Sequence, residues 1–399
     1  MIVSLEIPFF RFLLFAGLVL LIGSGAYARY LEPKLASVGL FKRLHIVGAL
    51  LLIAGSLLDV GFTAARALGD LNPYLYGAYL TRTWNGQWVM LRVVVTAMLA
   101  WLALLPRSEL KLIPKLSSTT VDRILHGALS FLLCLTVSMT SHVGARGEPL
   151  PIAGDLLHLG AMLVWISAIF YTAIFRFSTP RDGVNVLERV SNLGVLAVGL
   201  LSLTGIYASL VRLWAPELLS VTQYGQTLVL KIALVAVTLV LAGINRFQWM
   251  PLLRRLPSRF PGFQRFMGLE ALMLTAVLVC TSALGTTAPP ERGAGLKEVV
   301  PFKETKGEWT LEGVATPTAL GGVRLEFGIN GKPGFNLTPE ARVDVALDMT
   351  SHGMNVVPLN LERLAGGRFG ADGFFGMTGD FDAIIKAPGA EWRVTLPSR

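Results

Sequence analysis

The chain is predicted to be an all-α polytopic membrane bundle of about eight transmembrane helices followed by a small all-β, immunoglobulin-like sandwich. Three observations lead there. Hydrophobic residues make up 53% of the 399 residues and charged residues only 15%, for a mean hydropathy of +0.59, which is outside the range of soluble domains. The apolar residues come in long uninterrupted blocks, as membrane spans require. After residue 286 the texture changes to short alternating runs separated by Gly, Pro and Asp turns, the pattern of half-buried strands.

A helix needs roughly 20 apolar residues to cross about 30 Å of hydrocarbon. Eight segments qualify: 7–27, 44–65, 88–105, 124–141, 153–175, 190–211, 226–245 and 266–286. The first lacks a small-residue cleavage site and is followed by seven more, so it reads as a span rather than a signal peptide. The loops after spans 1, 3, 5 and 7 carry Arg29, Lys34, Lys42 and Arg43; Arg107, Lys111, Lys115 and Arg123; Arg176, Arg181 and Arg189; and Arg246, Arg254, Arg255, Arg259 and Arg265. The other loops hold only Arg66, Arg82, Arg146 and Arg212. By the positive-inside rule the first set is cytoplasmic, which places both termini and the whole tail outside. The net charge of +9 is largely this bias, with basic inner loops against anionic lipid, so no nucleic-acid partner is needed to explain it.

The chain thus divides into a membrane domain (1–286), a linker (287–298) containing Pro289, Pro290, Gly293 and Gly295, and an external β-domain (299–399) with candidate strands at 309–314, 323–329, 342–349, 355–361, 381–386 and 392–396. Both cysteines, Cys134 and Cys280, fall inside spans. The external domain therefore has neither disulfide nor thiolate ligand, and the two thiols read as small packing residues.

Chemistry concentrates at the outer ends of spans 4 and 5. Met139 and His142 close one span, His158 and Met162 open the next, and a short loop joins them. Residues three or four apart share a helix face, so Met139 pairs with His142, and Asp155 with His158 and Met162. Thioether and imidazole together suit Cu(I), and imidazole also accepts Cu(II). Asp155 is placed to orient the His158 ring. The competing reading makes His142 a solvated loop-edge residue and His158 a hydrogen-bonding bridge between helices. Asp59, Arg92 and Lys231 fall in the outer half of their spans, where ionisable groups either pair or line a hydrophilic path. Glu270, nearer the inner end of span 8, is expected to pair with a loop arginine such as Arg265.

The tail carries a second cluster. Met349, His352 and Met354 lie within six residues, between two candidate strands, and Met377 sits in a later turn. Such ligands suit an oxidising compartment, where a thiolate would be lost to oxidation. Alternatively the methionines pack the sandwich core and His352 is a surface turn residue.

Residues 120–255 resemble the copper resistance D (CopD) family of inner-membrane proteins. The resemblance rests on Ser141-His142 ending a span, Asp155-Leu156-Leu157-His158 with Trp165 in the next, Leu203-Thr204-Gly205, Thr222-Gln223-Tyr224-Gly225-Gln226 leading to Lys231, and Asn245-Arg246. The first three spans agree only in layout. The tail, through Met349 to Met354, Gly367-Arg368-Phe369 and Met377-Thr378-Gly379, is similar to YtkA-like β-domains. The resemblance implies a non-enzymatic copper-handling protein of the bacterial inner membrane, acting in copper uptake, homeostasis or resistance. Copper captured at Met349, His352, Met354 and Met377 would pass to Met139, His142, His158 and Met162, with Asp155, Asp59, Lys231 and Trp165 along the path and a periplasmic copper chaperone as a compatible partner. No Walker A loop is present, so movement would follow a gradient or a partner.

Two other readings stay open. His45 and His126 near the inner face, with His142 and His158 near the outer face, would suit a b-type dihaem cytochrome. His126 and His142 are separated by about 24 Å of helix but by about 160° of rotation, which weakens a shared cofactor channel. A copper-holding assembly factor that does not transport is the third.

Overall fold

The computed structural model describes residues 6–32, 39–68, 73–105, 117–141, 143–144, 147–213, 215–287, 289–291, 293–332, 341–348, 357–375 and 378–399. The helices are α1 (Glu6–Ala26), α2 (Gly39–Leu68), α3 (Pro73–Arg82), α4 (Trp84–Leu104), α5 (Ser118–Met139), α6 (Pro149–Ile174), α7 (Pro180–Arg212), α8 (Leu218–Val221), α9 (Gln223–Ile244), α10 (Met250–Arg255) and α11 (Phe260–Thr286). Eight stretches are long and apolar enough to cross a membrane: Ile7–Leu31, Gly39–Ala65, Trp84–Leu104, Ser118–Met139, Pro149–Ile174, Pro180–Arg212, Gln223–Arg255 and Pro257–Thr286. They coincide with the eight expected spans. The short helices α3 and α8 lie in the connections before the third and seventh.

Hydroxyl residues mark where several spans begin. The side chains of Thr83, Ser117, Thr179 and Thr222 accept from the backbone N–H of Gly86, Thr120, Asp182 and Gly225, at 3.0, 3.2, 3.2 and 2.9 Å. Each occupies an otherwise orphaned donor at a helix N-terminus.

The bundle is built around α1, which packs along α2 and against α6 and α11. The α1–α2 seam is a glycine contact. A Cβ at Gly48 would stand 2.6 Å from the Leu21 backbone nitrogen, one at Gly55 2.6 Å from that of Leu14, and one at Gly17 2.5 Å from that of Leu52. Lipid tails are as apolar as Leu, so helices in a membrane associate through such close backbone approach and its dispersion contacts. Toward the face of the arginine-rich loops, labelled inner after the expected topology with the opposite face outer, Tyr27, Phe41, Tyr171 and Phe175 form an aromatic cluster, with Tyr171 stacked on Phe175 at 5.5 Å. Beside it lies a buried ion pair between Arg29, in a π-helical turn (Tyr27–Leu31), and Asp122 on α5, at 2.7 Å.

The tail folds as two antiparallel sheets around one core. Its strands are β1 (Val300–Lys306), β2 (Trp309–Pro317), β3 (Gly322–Gly331), β4 (Asp344–Asp348), β5 (Val357–Leu359), β6 (Leu361–Arg363), β7 (Phe369–Phe374), β8 (Gly379–Ala387) and β9 (Ala390–Ser398). One sheet has the order β1-β2-β3-β7-β6 and the other β5-β4-β8-β9. Alternate residues point inward: Val323, Leu325 and Phe327 from one sheet meet Phe381, Ala383, Ile385, Trp392, Val394 and Leu396 from the other. The expected strand 355–361 is two strands in different sheets, because the chain crosses over at Asn360. Strand β7 escaped the sequence reading because it is glycine-rich. Gly370 lies under the Arg324 guanidinium and Gly373 under Leu347, places a larger side chain would not fit.

Two outcomes are expected. Gly48→Val should destabilise the α1–α2 seam by about 1–3 kcal/mol through overpacking against backbone, read as a lowered midpoint in thermal unfolding of the full-length protein. Asp122→Ala leaves the Arg29 guanidinium buried without its counter-charge and should cost about 3–5 kcal/mol, whereas replacing both partners with apolar residues should restore most of the loss in the same assay.

Candidate functional site

The outer half of the bundle carries a chain of polar side chains reaching from α1 to α11. On one side Asp59 of α2 pairs with Arg11 of α1 at 3.2 Å, and Arg11 also donates to the Gly285 carbonyl at the end of α11. Arg92 of α4 is 2% exposed. It donates to Ser56 of α2 and to the Thr136 hydroxyl, the Thr136 carbonyl and the Thr140 hydroxyl of α5. The partner of Asp59 is thus Arg11, a cation inside the first apolar block. The expected set of Asp59, Arg92 and Lys231 resolves into separate arrangements.

Further along, Ser138 of α5 donates to Asp155 Oδ2 of α6 at 2.6 Å, linking the helices on either side of the short outer loop. One turn on, His158 Nδ1 is hydrogen-bonded to Thr204 Oγ1 of α7 at 2.8 Å. The Thr204 hydroxyl itself donates to the Leu200 carbonyl at 2.7 Å. With its proton committed to that carbonyl, the hydroxyl accepts from Nδ1–H, which leaves Nε2 as the nitrogen with a lone pair for a ligand. Asp155, expected to orient the ring, is turned to Ser138, and Thr204 takes that role. Gly205 lies beside the ring, where a Cβ would stand in ordinary van der Waals contact, 3.6 Å from His158 Cε1. The signal for Thr204 was present as a small polar pair, Thr204-Gly205, inside an apolar run.

Lys231 of α9 and Arg212 at the end of α7 both act electrostatically on Asp155 and His158, and Cys280 of α11 lies within reach of Lys231. Arg212 also donates to the Tyr224 hydroxyl at 3.2 Å, bridging the outer ends of α7 and α9. Helix α7 packs chiefly on α6, and α9 chiefly on α11. The polar groups of α6, α7 and α9 thus act on one another although α7 and α9 have different principal neighbours.

The remaining candidates are distributed as follows. Met139 is half-buried at the end of α5, with Gly144 folded back against its backbone. Met162 and Trp165, 7% and 5% exposed, belong to the helical core. His142, Met349, His352, Met354 and Met377 lie outside the described residues. Among the described residues no group of three or more His, Cys, Asp and Glu is arranged to hold a metal ion. Both cysteines are free and buried. At the inner face His45 is engaged at both ring nitrogens, by Ser24 at 2.8 Å and the Leu99 carbonyl at 3.2 Å, and His126 packs against Gly25 of α1.

In the tail, the register pairs Asp348 with Asp382 and Leu347 with Val357. The end of β4 and the starts of β5 and β8 therefore lie at one end of the four-stranded sheet. At that end the Thr378 backbone N–H donates to Glu291 of the linker at 3.3 Å.

No solved structure matches the chain. "Inner membrane protein YebZ" of Escherichia coli (strain K12) is 26% identical over 302 residues, covering 70% of this chain and 97% of that protein. Two family models match, "Copper resistance protein D-like, N-terminal domain" at residues 2–151 and "Copper resistance protein D" at residues 184–284. Spans 1–4 and 6–8 are thus similar to copper resistance protein D, while nearly all of α6 lies between the two matches and the β-sheets lie beyond both.

Proposed function

We propose that this protein moves or delivers copper at the bacterial inner membrane, with both termini and the β-domain on the outer side and without enzymatic activity. Copper is first held at Met349, His352 and Met354, with Met377 nearby, and then passes to Met139, His142 and His158 at the outer ends of α5 and α6. The observation that carries the reading is the hydrogen bond from Thr378 to Glu291. It ties the sheet end flanking both methionine segments to a point five residues, 287–291, past the last span. An extended chain of that length reaches at most about 18 Å, so the flanks of the capture segments stay close to the outer surface of the bundle.

Charge decides which ligands do the holding. Lys231 and Arg212 outnumber Asp155 around His158, so electrostatic attraction does not recruit a cation here. Imidazole Nε2 and thioethers bind by soft donation instead, which favours Cu(I) over harder ions. Thr204 fixes the ring so that Nε2 is the donor, as partners of ligating histidines commonly do. Copper resistance gives its name to the family whose models match spans 1–4 and 6–8, and the Escherichia coli relative is described as an inner membrane protein.

Cells expressing a His142/His158 double replacement should fail to accumulate copper while inserting normal amounts of protein; parental accumulation would remove the proposed route. Thr204→Val, which releases the ring without touching a ligand, should weaken copper retention by the full-length protein by about 10–100-fold. Replacing Met349, His352 and Met354 together by Leu, Gln and Leu should weaken Cu(I) binding by roughly a hundredfold or more, as the loss of about 3 kcal/mol of ligation implies. Competition against a chromophoric Cu(I) chelator measures both, and unchanged affinity in the triple variant would return those residues to a packing role.

A further inference from the structure

We infer that Glu270 of α11 and Asn245, which follows α9, form a proton-binding site inside the inner half of the membrane domain, with one proton held between Glu270 Oε1 and Asn245 Oδ1. Glu270 is fully buried and Asn245 is 9% exposed. The Asn245 amide donates to Glu270 Oε2. Two atoms of the pair are left buried with no hydrogen-bond partner, Glu270 Oε1 and Asn245 Oδ1. Both are acceptors when the carboxyl is ionised, so neither can satisfy the other. A single proton on Oε1 turns it into a donor to Oδ1. Carboxylic acid and primary amide then close a ring of two hydrogen bonds, and both orphans are resolved at once. An amide turned end for end would set its oxygen against Oε2 and again require a proton between them.

The ionised alternative has nothing to support it. An unpaired buried carboxylate costs several kcal/mol even after relaxation, and among the described residues no ion pair reaches Glu270, whose hydrogen-bond partner is the neutral Asn245 amide. Arg265, the expected partner on the same helix, is exposed. Arg246, next to Asn245, donates to Ser191 and Asn192 of α7, and Arg254 of α10 to Glu188 of α7. On α1, Arg11 is held by Asp59 and the arginine of its inner π-turn, Arg29, by Asp122. Lys231 of α9 and the Asp155 and His158 of α6 belong to the outer cluster. Asn245 also opens a π-helical turn, Asn245–Trp249, a local widening of the helix often found where a side chain has been re-aimed for a task.

The test is infrared spectroscopy of the full-length protein, isotope-labelled at its glutamate side-chain carboxyl carbons. At neutral pH the labelled parent should show the carbonyl stretch of one protonated glutamate, shifted on exchange into heavy water and absent in Glu270→Gln. Asn245→Leu should move the band, because the acid loses its amide partner. No protonated glutamate in the parent would overturn the site, as would a band that Asn245→Leu leaves unmoved. A band abolished by sodium, potassium or Cu(I) at constant pH would overturn it in favour of a metal-cation site. The measurement on the labelled parent needs no variant, so it stands even where a substitution fails to fold.

Discussion

Everything in this membrane domain depends on how charge is matched inside hydrocarbon. A charged side chain within a span is costly unless it meets a partner or water, and the bundle meets that constraint with long-range pairings. Arg11 joins α1 to α2 through Asp59 and to the end of α11 through Gly285. Arg29 joins the inner end of α1 to α5 through Asp122. Arg92 ties α4 to α2 and α5 through hydroxyls and a carbonyl. These contacts supply the direction that dispersion packing at the glycine seam lacks, so together they set the rotation and depth of the first five helices.

Beyond those pairings, His126 and Ser130 of α5 each keep a buried atom without a hydrogen-bond partner, and polar groups gather in two further places. At the outer ends of α6, α7 and α9, Asp155, His158, Arg212 and Lys231 gather without an ion pair among the described residues. In the inner half, Asn245 and Glu270 face each other with unsatisfied oxygens. The two sites sit on the same helices: α9 leads from Lys231 to Asn245, and α11 carries both Cys280 and Glu270.

The external domain adds a different kind of order. Its core comes from strict alternation on two sheets, and the end of β4 and the starts of β5 and β8 share one end of the β5-β4-β8-β9 sheet. A single linker carboxylate, Glu291, reaches that end. That contact stands five residues, 287–291, past the last span, so this end of the sheet is tied to the linker close to where the chain leaves α11.

The class of protein, the eight spans, the two-part organisation and most of the strands are readable from the sequence, because hydropathy and alternation are local and additive along the chain. His158 was legible as a candidate for the same reason, as an ionisable group inside an apolar run. Its partner was not: Thr204 lies 46 residues away, as Ser138 lies 17 from Asp155, Asp59 48 from Arg11 and Asp122 93 from Arg29. Which polar groups meet depends on the depth and rotation of helices far apart in sequence, which close packing and the pairings themselves decide together. Sequence therefore determined that buried charge exists here and roughly how deep it lies. Only the tertiary structure decided that Glu270 faces Asn245 and not an arginine, since a residue's partner is a property of the neighbouring helix and not of its own.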